Sequence, residues 1–129
     1  EHGNESSIAN RGDGLVISSL IKKDFKIVVI STEKNQIVKH RCKKLGVECH
    51  YGIENNINEL KKICNNRDID LMKVIYIGND LNDKEVMGNV GYPMCPSDAH
   101  QEIKDISKIV FDTSGGNGVM REFLNYVEN

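Results

Sequence analysis

The chain has 129 residues and a formal net charge of -2, and 39% of its residues are hydrophobic and 28% are charged. These values are typical of one globular domain with a single core, and they exclude disordered and collagen-like classes. The balanced charge offers no basic stripe for nucleic acid, and no apolar run approaches the ~20 residues of a membrane-spanning helix. We therefore expect one domain, residues 1–129, that binds neither nucleic acid nor a membrane.

Short β-branched runs alternate with amphipathic stretches along the chain, and this alternation favours a parallel sheet with helices on both faces. The predicted helices are Asp13 to Lys23, Gln36 to Leu45, Asn56 to Asn66, Asp83 to Asn89, Ala99 to Ile106 and Gly118 to Val127. The predicted strands are Lys26 to Ser31, Val47 to Tyr51, Val74 to Ile77, Tyr92 to Cys95 and Ile109 to Phe111. We predict a doubly wound, Rossmann-like α/β fold in which Leu15, Ile17, Leu20 and Ile21 form the apolar face of the first helix.

The opening segment, Glu1 to Gly12, is polar and has only Ile8 as a large apolar residue. A doubly wound sheet normally begins with an apolar strand, which this segment cannot supply. The chain also starts without Met or a signal-type apolar stretch. We therefore expect an N-terminally truncated domain that lacks its first strand and belongs to a longer protein.

Four cysteines, Cys42, Cys49, Cys64 and Cys95, are irregularly spaced and form no CxxC pair. This spacing indicates neither a zinc site nor a redox motif. We expect reduced, mostly buried thiols and a cytoplasmic location, with disulfides as the alternative.

The segment from Val74 to Asp83 is an apolar strand followed by Gly78, Asn79 and Asp80. In parallel sheets ligands bind at the carboxyl ends of the strands, where such oxygen-bearing side chains can hold Mg2+. The alternative is a capped turn between a strand and a helix, because Asn and Asp are common at both.

A second strand, Lys26 to Ile30, delivers the hydroxyl groups of Ser31 and Thr32 to its carboxyl end. Hydroxyl donors beside a helix N-terminus form an anion site that suits a phosphate group. Helix capping by either residue is the alternative.

Together the two motifs resemble the haloacid-dehalogenase superfamily in their order and spacing. The closest resemblance is to a small capless branch, which contains 3-deoxy-octulosonate 8-phosphate phosphatase, nine-carbon keto-sugar 9-phosphate phosphatases and the carboxy-terminal module of CMP-sialic acid synthetases (N-acylneuraminate cytidylyltransferases). The matching segments are Gly3 to Glu5, Asp13-Gly14, Ile37-Val38, Arg41 to Leu45, Tyr76 to Gly78, Leu81 to Asp83, Val90-Gly91, Pro96 to Ala99, Gly115 to Gly118 and Arg121 to Phe123.

The resemblance implies an Asp-x-Asp motif on the first strand, which supplies the nucleophile and the general acid beside Mg2+. The start of the chain contains no such motif on an apolar strand, and the family places it upstream of the Gly-Asn-Glu segment that stands here at Gly3 to Glu5. By the same resemblance Ser31 occupies a phosphate-binding position, Asn56 that of a phosphate-binding lysine, and Asn79 that of a metal-binding aspartate.

Two of these positions depart from the family pattern. Asn56 cannot neutralise a transferring phosphoryl group as a lysine does, and such electrostatic stabilisation is usually the largest catalytic term. Asn79 removes one negative charge from the metal site, where Asp80 and Asp83 remain as candidate ligands. We therefore expect impaired catalysis and a weakened Mg2+ site.

The resemblance also suggests substrate contacts and an oligomer. Glu33 followed by Lys34 is frequent in the nine-carbon branch, so Glu33 and Arg41 are candidate substrate-binding residues, with a solvated helical turn as the alternative for the Glu-Lys pair. In the family the tail that corresponds to Gly115 to Gly118 lies near a neighbouring subunit's active site, which implies a homotetramer.

These observations leave three hypotheses. The first is a phosphatase-like module that follows the nucleotidyltransferase domain of an N-acylneuraminate cytidylyltransferase. This module would have impaired catalysis and would serve oligomer assembly. Its location would be the cytoplasm, or the nucleus if the protein is of the vertebrate type. The second is a Mg2+-dependent phosphatase of a keto-sugar acid phosphate whose nucleophile lies upstream of Glu1. The third is a receiver-like or other doubly wound binding domain. The upstream sequence distinguishes the first two.

Overall fold

The computed structural model describes residues 13–116 and 118–129, which form alternating helices and strands. The α-helices are α1 (Asp13–Lys22), α2 (Gln36–Leu45), α3 (Asn56–Asn66), α4 (Lys84–Met87), α5 (Gln101–Ile106) and α6 (Val119–Glu128), and two 3-10 helices cover Leu71–Lys73 and Leu81–Asp83. The strands are β1 (Val28–Ile30), β2 (Glu48–His50), β3 (Ile75–Ile77), β4 (Tyr92–Cys95) and β5 (Ile109–Val110). The segment Glu1 to Gly12, with the motif at Gly3 to Glu5, and Asn117 lie outside the described residues.

Local sequence signals account for most of these boundaries. Helix α2 begins where the Asn35 side chain accepts a hydrogen bond from the N–H of Ile37, and it ends at Gly46 in a left-handed conformation (φ 72°). Helix α3 begins where the Asn55 side chain accepts from the N–H of Asn58. Such caps satisfy backbone groups that the helix itself leaves unpaired, so the ends are set by nearby residues.

Apart from small shifts of element ends and the 3-10 helix Leu71–Lys73, which was not predicted, the structure differs from the predictions in two helices. The helix predicted from Asp83 is a 3-10 turn followed by the short α4. In α1 the buried residues are Val16, Ile17 and Leu20, whereas Leu15 is 75% exposed and Ile21 is 47% exposed. The prediction that Leu15 and Ile21 belong to the buried face is wrong, because the stripe that packs on the sheet is narrower than the apolar run in the sequence.

All strand pairings are parallel, as the doubly wound fold requires. One sheet has the order β1-β2 and the other has the order β3-β4-β5. The first pairs Val29 with Cys49, and the second pairs Tyr76 with Pro93. The predicted α/β class is therefore confirmed, with its strands divided between two sheets that border one apolar cavity.

Helices cover both faces of the strands. On one face α1 and α6 pack together, with a core that includes Leu20 and Phe123, and α2 packs beside α1 through Val38. On the other face α3, α4 and α5 enclose a core that includes Leu60 and Ile103. Alternate residues of each strand point to opposite layers, so β1 and β3 contribute side chains to the cores on both faces, whereas β2 and β5 are partly exposed.

The cysteines agree with the prediction of reduced, mostly buried thiols. Cys42, Cys64 and Cys95 are buried, Cys49 is half-buried, and the four form no disulfide with one another. Burial raises the pKa of the Cys64 and Cys95 thiols, which makes both poor nucleophiles. None of the helices in the described ranges has the length and apolar character that crossing a bilayer would need.

Candidate active site

The polar residues predicted to bind ligands collect at the carboxyl edge of the two sheets. Ser31 follows β1 and is buried, and Asn79 and Asp80 follow β3 after Gly78. Asn56 is the first residue of α3 and is only 7% exposed. Parallel strands place their carboxyl ends at one edge, so the fold gathers residues that are distant in sequence.

Asp83 is the most heavily hydrogen-bonded side chain at this edge. It is 2% exposed, and its Oδ2 accepts from the backbone N–H groups of Asn79 (3.0 Å) and Asp80 (3.2 Å). Its Oδ1 accepts from the hydroxyl group of Tyr76 at 2.9 Å. Both carboxylate oxygens are therefore used within the protein, and the carboxylate holds the turn that carries Asn79 and Asp80.

Gly78 allows this close approach. A Cβ atom at Gly78 would lie 2.8 Å from the Cβ and Cγ atoms of Asp83, which is too close for any side chain. The glycine is required here because the Asp83 carboxylate packs directly against the backbone of the turn.

A hydrogen-bond chain links the turn to helix α3. The Asp83 carboxylate can only accept, so the single hydroxyl proton of Tyr76 is donated to it, and Tyr76 Oη in turn accepts from Asn56 Nδ2 at 3.4 Å. Because Asn56 Nδ2 donates to Tyr76, the orientation of the Asn56 amide is fixed, and Asn56 Oδ1 has no hydrogen-bond donor. Burial raises the pKa of Tyr76, and the charge of Asp83 raises it further, so the phenol stays protonated.

Comparison with known proteins decides the family. The sequence profile of the haloacid dehalogenase-like hydrolases matches residues 55–123, which is more than half of the chain. The chain belongs to this family.

Relatives within the haloacid dehalogenase-like family extend the match to nearly the whole chain. The 3-deoxy-D-manno-octulosonate 8-phosphate phosphatase KdsC of Escherichia coli K12 is 30% identical over 122 residues, which are 94% of this chain and 65% of that protein. The chain thus spans somewhat less than two thirds of the length of this curated relative.

Solved structures show the same fold. A haloacid-dehalogenase-family hydrolase from Streptomyces avermitilis superposes with a TM-score of 0.88 at 34% identity, covering 91% of this chain and 67% of that one. The octulosonate 8-phosphate phosphatase of Moraxella catarrhalis superposes with a TM-score of 0.86 at 24% identity, covering 92% of this chain and 68% of that one. That structure contains a magnesium ion, a phosphate ion and a KDO molecule. The Moraxella structure shows the shared fold, and the 30% identity to the E. coli phosphatase confirms the resemblance to the capless octulosonate phosphatase branch.

The residues of this family member fit a divalent cation in part. The Oδ1 atom of Asn79 is buried and has no hydrogen-bond partner, so it is an oxygen that a hard cation could use. Asp83 is committed to hydrogen bonds, and among the described residues no group of three His, Cys, Asp or Glu side chains could hold a metal. Among the residues predicted to hold a metal, the structure therefore offers one buried oxygen without a hydrogen-bond partner, Asn79 Oδ1, and the metal site itself stays a prediction.

The other predicted site residues are only partly brought together. Ser31 Oγ accepts a hydrogen bond from the N–H of Glu33 at 3.0 Å. The intervening residue, Thr32, is half-buried. The Glu33 carboxylate accepts from the N–H of Asn35 at 3.0 Å, as a residue of a helical first turn would. Arg41 lies in the middle of α2, and no hydrogen bond or ion pair within the described ranges joins it to the others.

Sequence reasoning missed Tyr76, which joins the two halves of the site. The strand prediction included it only as part of an apolar run. A signal was available, because a tyrosine buried among apolar residues needs a partner for its hydroxyl group. The sequence could not show that this partner would be Asp83.

Proposed function

We propose that this chain is the greater part of a Mg2+-dependent phosphatase that acts on a keto-sugar acid phosphate, such as an octulosonate 8-phosphate. The likeness to the E. coli octulosonate 8-phosphate phosphatase, over 94% of this chain, carries the proposal. The carboxyl-edge position of Ser31 and Asn79 supports it, because phosphate and metal ligands are needed at one place. The nucleophilic aspartate would come from a part of the protein outside this chain.

Each candidate residue has a defined task in this proposal. The hydroxyl groups of Ser31 and Thr32 would donate to phosphate oxygens, and Glu33 and Arg41 would contact the sugar acid. Asn79 and Asp80 would hold Mg2+, with Asp83 orienting their turn. The ion, when bound, would neutralise charge that develops on the phosphoryl oxygens.

A second candidate function is favoured by the chemistry of Asn56. Its amide carries no charge, its Nδ2 is used by Tyr76, and its Oδ1 presents an acceptor where a phosphate needs a donor. This arrangement suits a module with impaired catalysis that supports assembly, as in an N-acylneuraminate cytidylyltransferase with an upstream nucleotidyltransferase domain. For either candidate we propose a homo-oligomer, a tetramer by resemblance, located in the cytoplasm.

The test uses the longer protein with its natural upstream segment. Phosphate release from eight-carbon and nine-carbon keto-sugar acid phosphates is measured with Mg2+ and with a chelator, for the wild type, Asn56→Lys, Asn79→Asp and the double variant. Asn58→Lys on the same helix and Asn82→Asp in the same turn are matched controls, because both residues are exposed.

The outcomes separate the candidates. Turnover by the wild type that the chelator abolishes supports the phosphatase. Turnover only in the double variant supports the module with impaired catalysis, because the scaffold is then intact and only its charges were lost. Absence of turnover from every variant, in protein that melts cooperatively, refutes the phosphatase proposal.

A further inference from the structure

The face of strand β2 that meets helix α3 is charged. Residues two apart on a strand lie on one face, so Glu48 and His50 lie together, while Cys49 packs against the core on the other face. On α3, Glu59 lies in the first turn and Arg67 directly follows the helix. Within the described ranges β2 pairs with β1 alone, so side-chain contacts with the neighbouring helices supply the rest of its support.

The His50 ring bridges two carboxylates on this face. Its Nδ1 lies 2.7 Å from Glu59 Oε2, and its Nε2 lies 2.7 Å from Glu48 Oε2. The two other charged groups that contact these carboxylates in the described part of the chain are Arg67, which donates to Glu48 Oε2, and Lys62, whose Nζ is 3.8 Å from Glu59 Oε1. The side chains of His50 and Glu59 are only 23% and 18% exposed, so water screens their contact in part.

Both ring contacts are hydrogen bonds only when the ring carries two N–H groups. A neutral imidazole has one N–H, and its other nitrogen would then place a lone pair 2.7 Å from a carboxylate oxygen. The hydrogen bond from Arg67, and after it the one from His50, lowers the pKa of Glu48, so this partner is ionised at neutral pH. The Lys62 side chain is 75% exposed and therefore neutralises Glu59 only weakly. The geometry thus requires the charged, doubly protonated ring.

We propose that His50, protonated on both ring nitrogens, fastens strand β2 to helix α3 and releases it when a proton is lost. We call this group of Glu48, His50, Glu59 and Arg67 the His50 clamp. Histidine is the side chain that ordinarily changes its charge between about pH 5 and pH 8. Because the folded arrangement holds the proton, the clamp stabilises the strand at low pH, and this contribution is lost as the pH rises.

The His50 clamp also supports the loop that follows β1. Ser31 N–H donates to His50 C=O at 2.9 Å, and Ile53 N–H donates to Ser31 C=O at 3.0 Å. Release of β2 would therefore loosen Ser31, which is a candidate phosphate-binding residue. The inference itself rests on hydrogen-bond geometry, so it holds whether or not the protein hydrolyses a phosphate ester.

Nitrogen NMR of the histidine rings tests the protonation state in the full-length protein. The signals of His50 are assigned by their loss in His50→Gln. At about pH 7.5 we expect both ring nitrogens of His50 to carry hydrogen, whereas an ordinary histidine is about nine-tenths neutral at that pH. In Glu59→Gln, which removes one carboxylate and keeps the side-chain size, the second hydrogen should be lost at a lower pH. A wild-type ring with one protonated nitrogen under these conditions would overturn the proposal.

Amide hydrogen exchange tests whether the proton holds strand β2. The reporter is Ser31 N–H, because its bond to His50 C=O breaks when β2 separates from β1. Its protection factor, from which the intrinsic pH dependence of exchange is removed, should fall about tenfold between about pH 6 and pH 9, as loss of a hydrogen bond to a charged group implies. The matched reporter is Gly78 N–H, which donates to Met94 C=O at 3.1 Å at the end of β3, and its protection factor should stay constant.

Two variants separate the His50 clamp from general effects of pH. In His50→Gln, whose new side chain cannot carry a charge, the protection factor of Ser31 should be low at the acid end of this range and nearly independent of pH. His40→Gln changes an exposed residue of α2 and should behave as the wild type does. If His50→Gln does not fold, the comparison of Ser31 with Gly78 in the wild type still decides. A Ser31 protection factor that stays constant, or that falls in step with that of Gly78, overturns the proposal.

Discussion

Replacing Tyr76 with phenylalanine should destabilise the protein by removing one buried hydroxyl group. The Asp83 carboxylate would lose a donor at 2.9 Å, and Asn56 Nδ2 would lose its acceptor at 3.4 Å. A hydrogen bond to a buried charged group is worth about 1.5 to 3 kcal/mol, whereas the longer contact adds little. We expect a loss of about 2 kcal/mol in the free energy of unfolding, which for a chain of this length lowers Tm by about 7 °C.

Urea and thermal unfolding of the wild type and Tyr76→Phe measure this loss. Tyr126→Phe is the matched control, because Tyr126 is 53% exposed and its hydroxyl group can bond to water. The control should change stability by less than about 0.5 kcal/mol. A Tyr76→Phe variant as stable as the control would refute the view that the hydroxyl group holds Asp83.

Two further predictions concern the loop after β5 and the cavity between β1 and β3. Although burial raises the pKa of Glu122, hydrogen bonds from the N–H groups of Asp112 (3.0 Å) and Thr113 (2.9 Å) lower it below 4.5 overall. The substitution Glu122→Ala should therefore lower the free energy of unfolding by about 1 to 2 kcal/mol at neutral pH. Because the pKa of Glu122 is lower in the folded state, its stabilising contribution is present above pH 4.5 and is lost as the pH falls further. The free energies of unfolding of the variant and the wild type should therefore converge in acid. A difference in stability that stays constant between pH 7 and pH 3 would contradict this assignment. This chain by itself should melt at low temperature with a broad transition, because β1 and β3 border a cavity and each buried backbone group left unpaired there costs about 1 to 3 kcal/mol. A cooperative melt at high temperature, recorded by calorimetry for the monomer, would exclude that explanation.

The predicted elements show which features depend on neighbouring residues. Helices α2 and α3 have the predicted bounds because Asn35, Asn55 and Gly46 cap them locally. Strand β4 also agrees with its predicted bounds, because Gly91 and Pro96 stand directly before and after its apolar run. The helix predicted from Asp83 differs because the Asp83 side chain bonds to Tyr76 and to the preceding turn. Helix start signals in the sequence do not include such a contact.

The candidate site also combines features that local sequence predicts with features that only the packed structure decides. The sequence indicates Ser31, Asn56 and Asn79 as separate positions, and parallel strand order brings their ends to one edge. It does not indicate that Asp83 would use both carboxylate oxygens within the protein. That result depends on the absence of a side chain at Gly78, whose Cβ would collide with Asp83. Steric room of this kind is a property of the packed structure.

By itself the sequence determined the alternation of strands and helices, the polar character of the strand ends and the absence of charge at Asn56 and Asn79. These are properties of residue type and local spacing, and they need no knowledge of distant contacts. The tertiary structure decided that Tyr76 connects Asn56 to Asp83, that Leu15 faces solvent, and that β1 and β3 border one cavity. Each of these depends on which distant segments meet, and hydrogen bonding and burial between such segments are settled only when the whole chain packs.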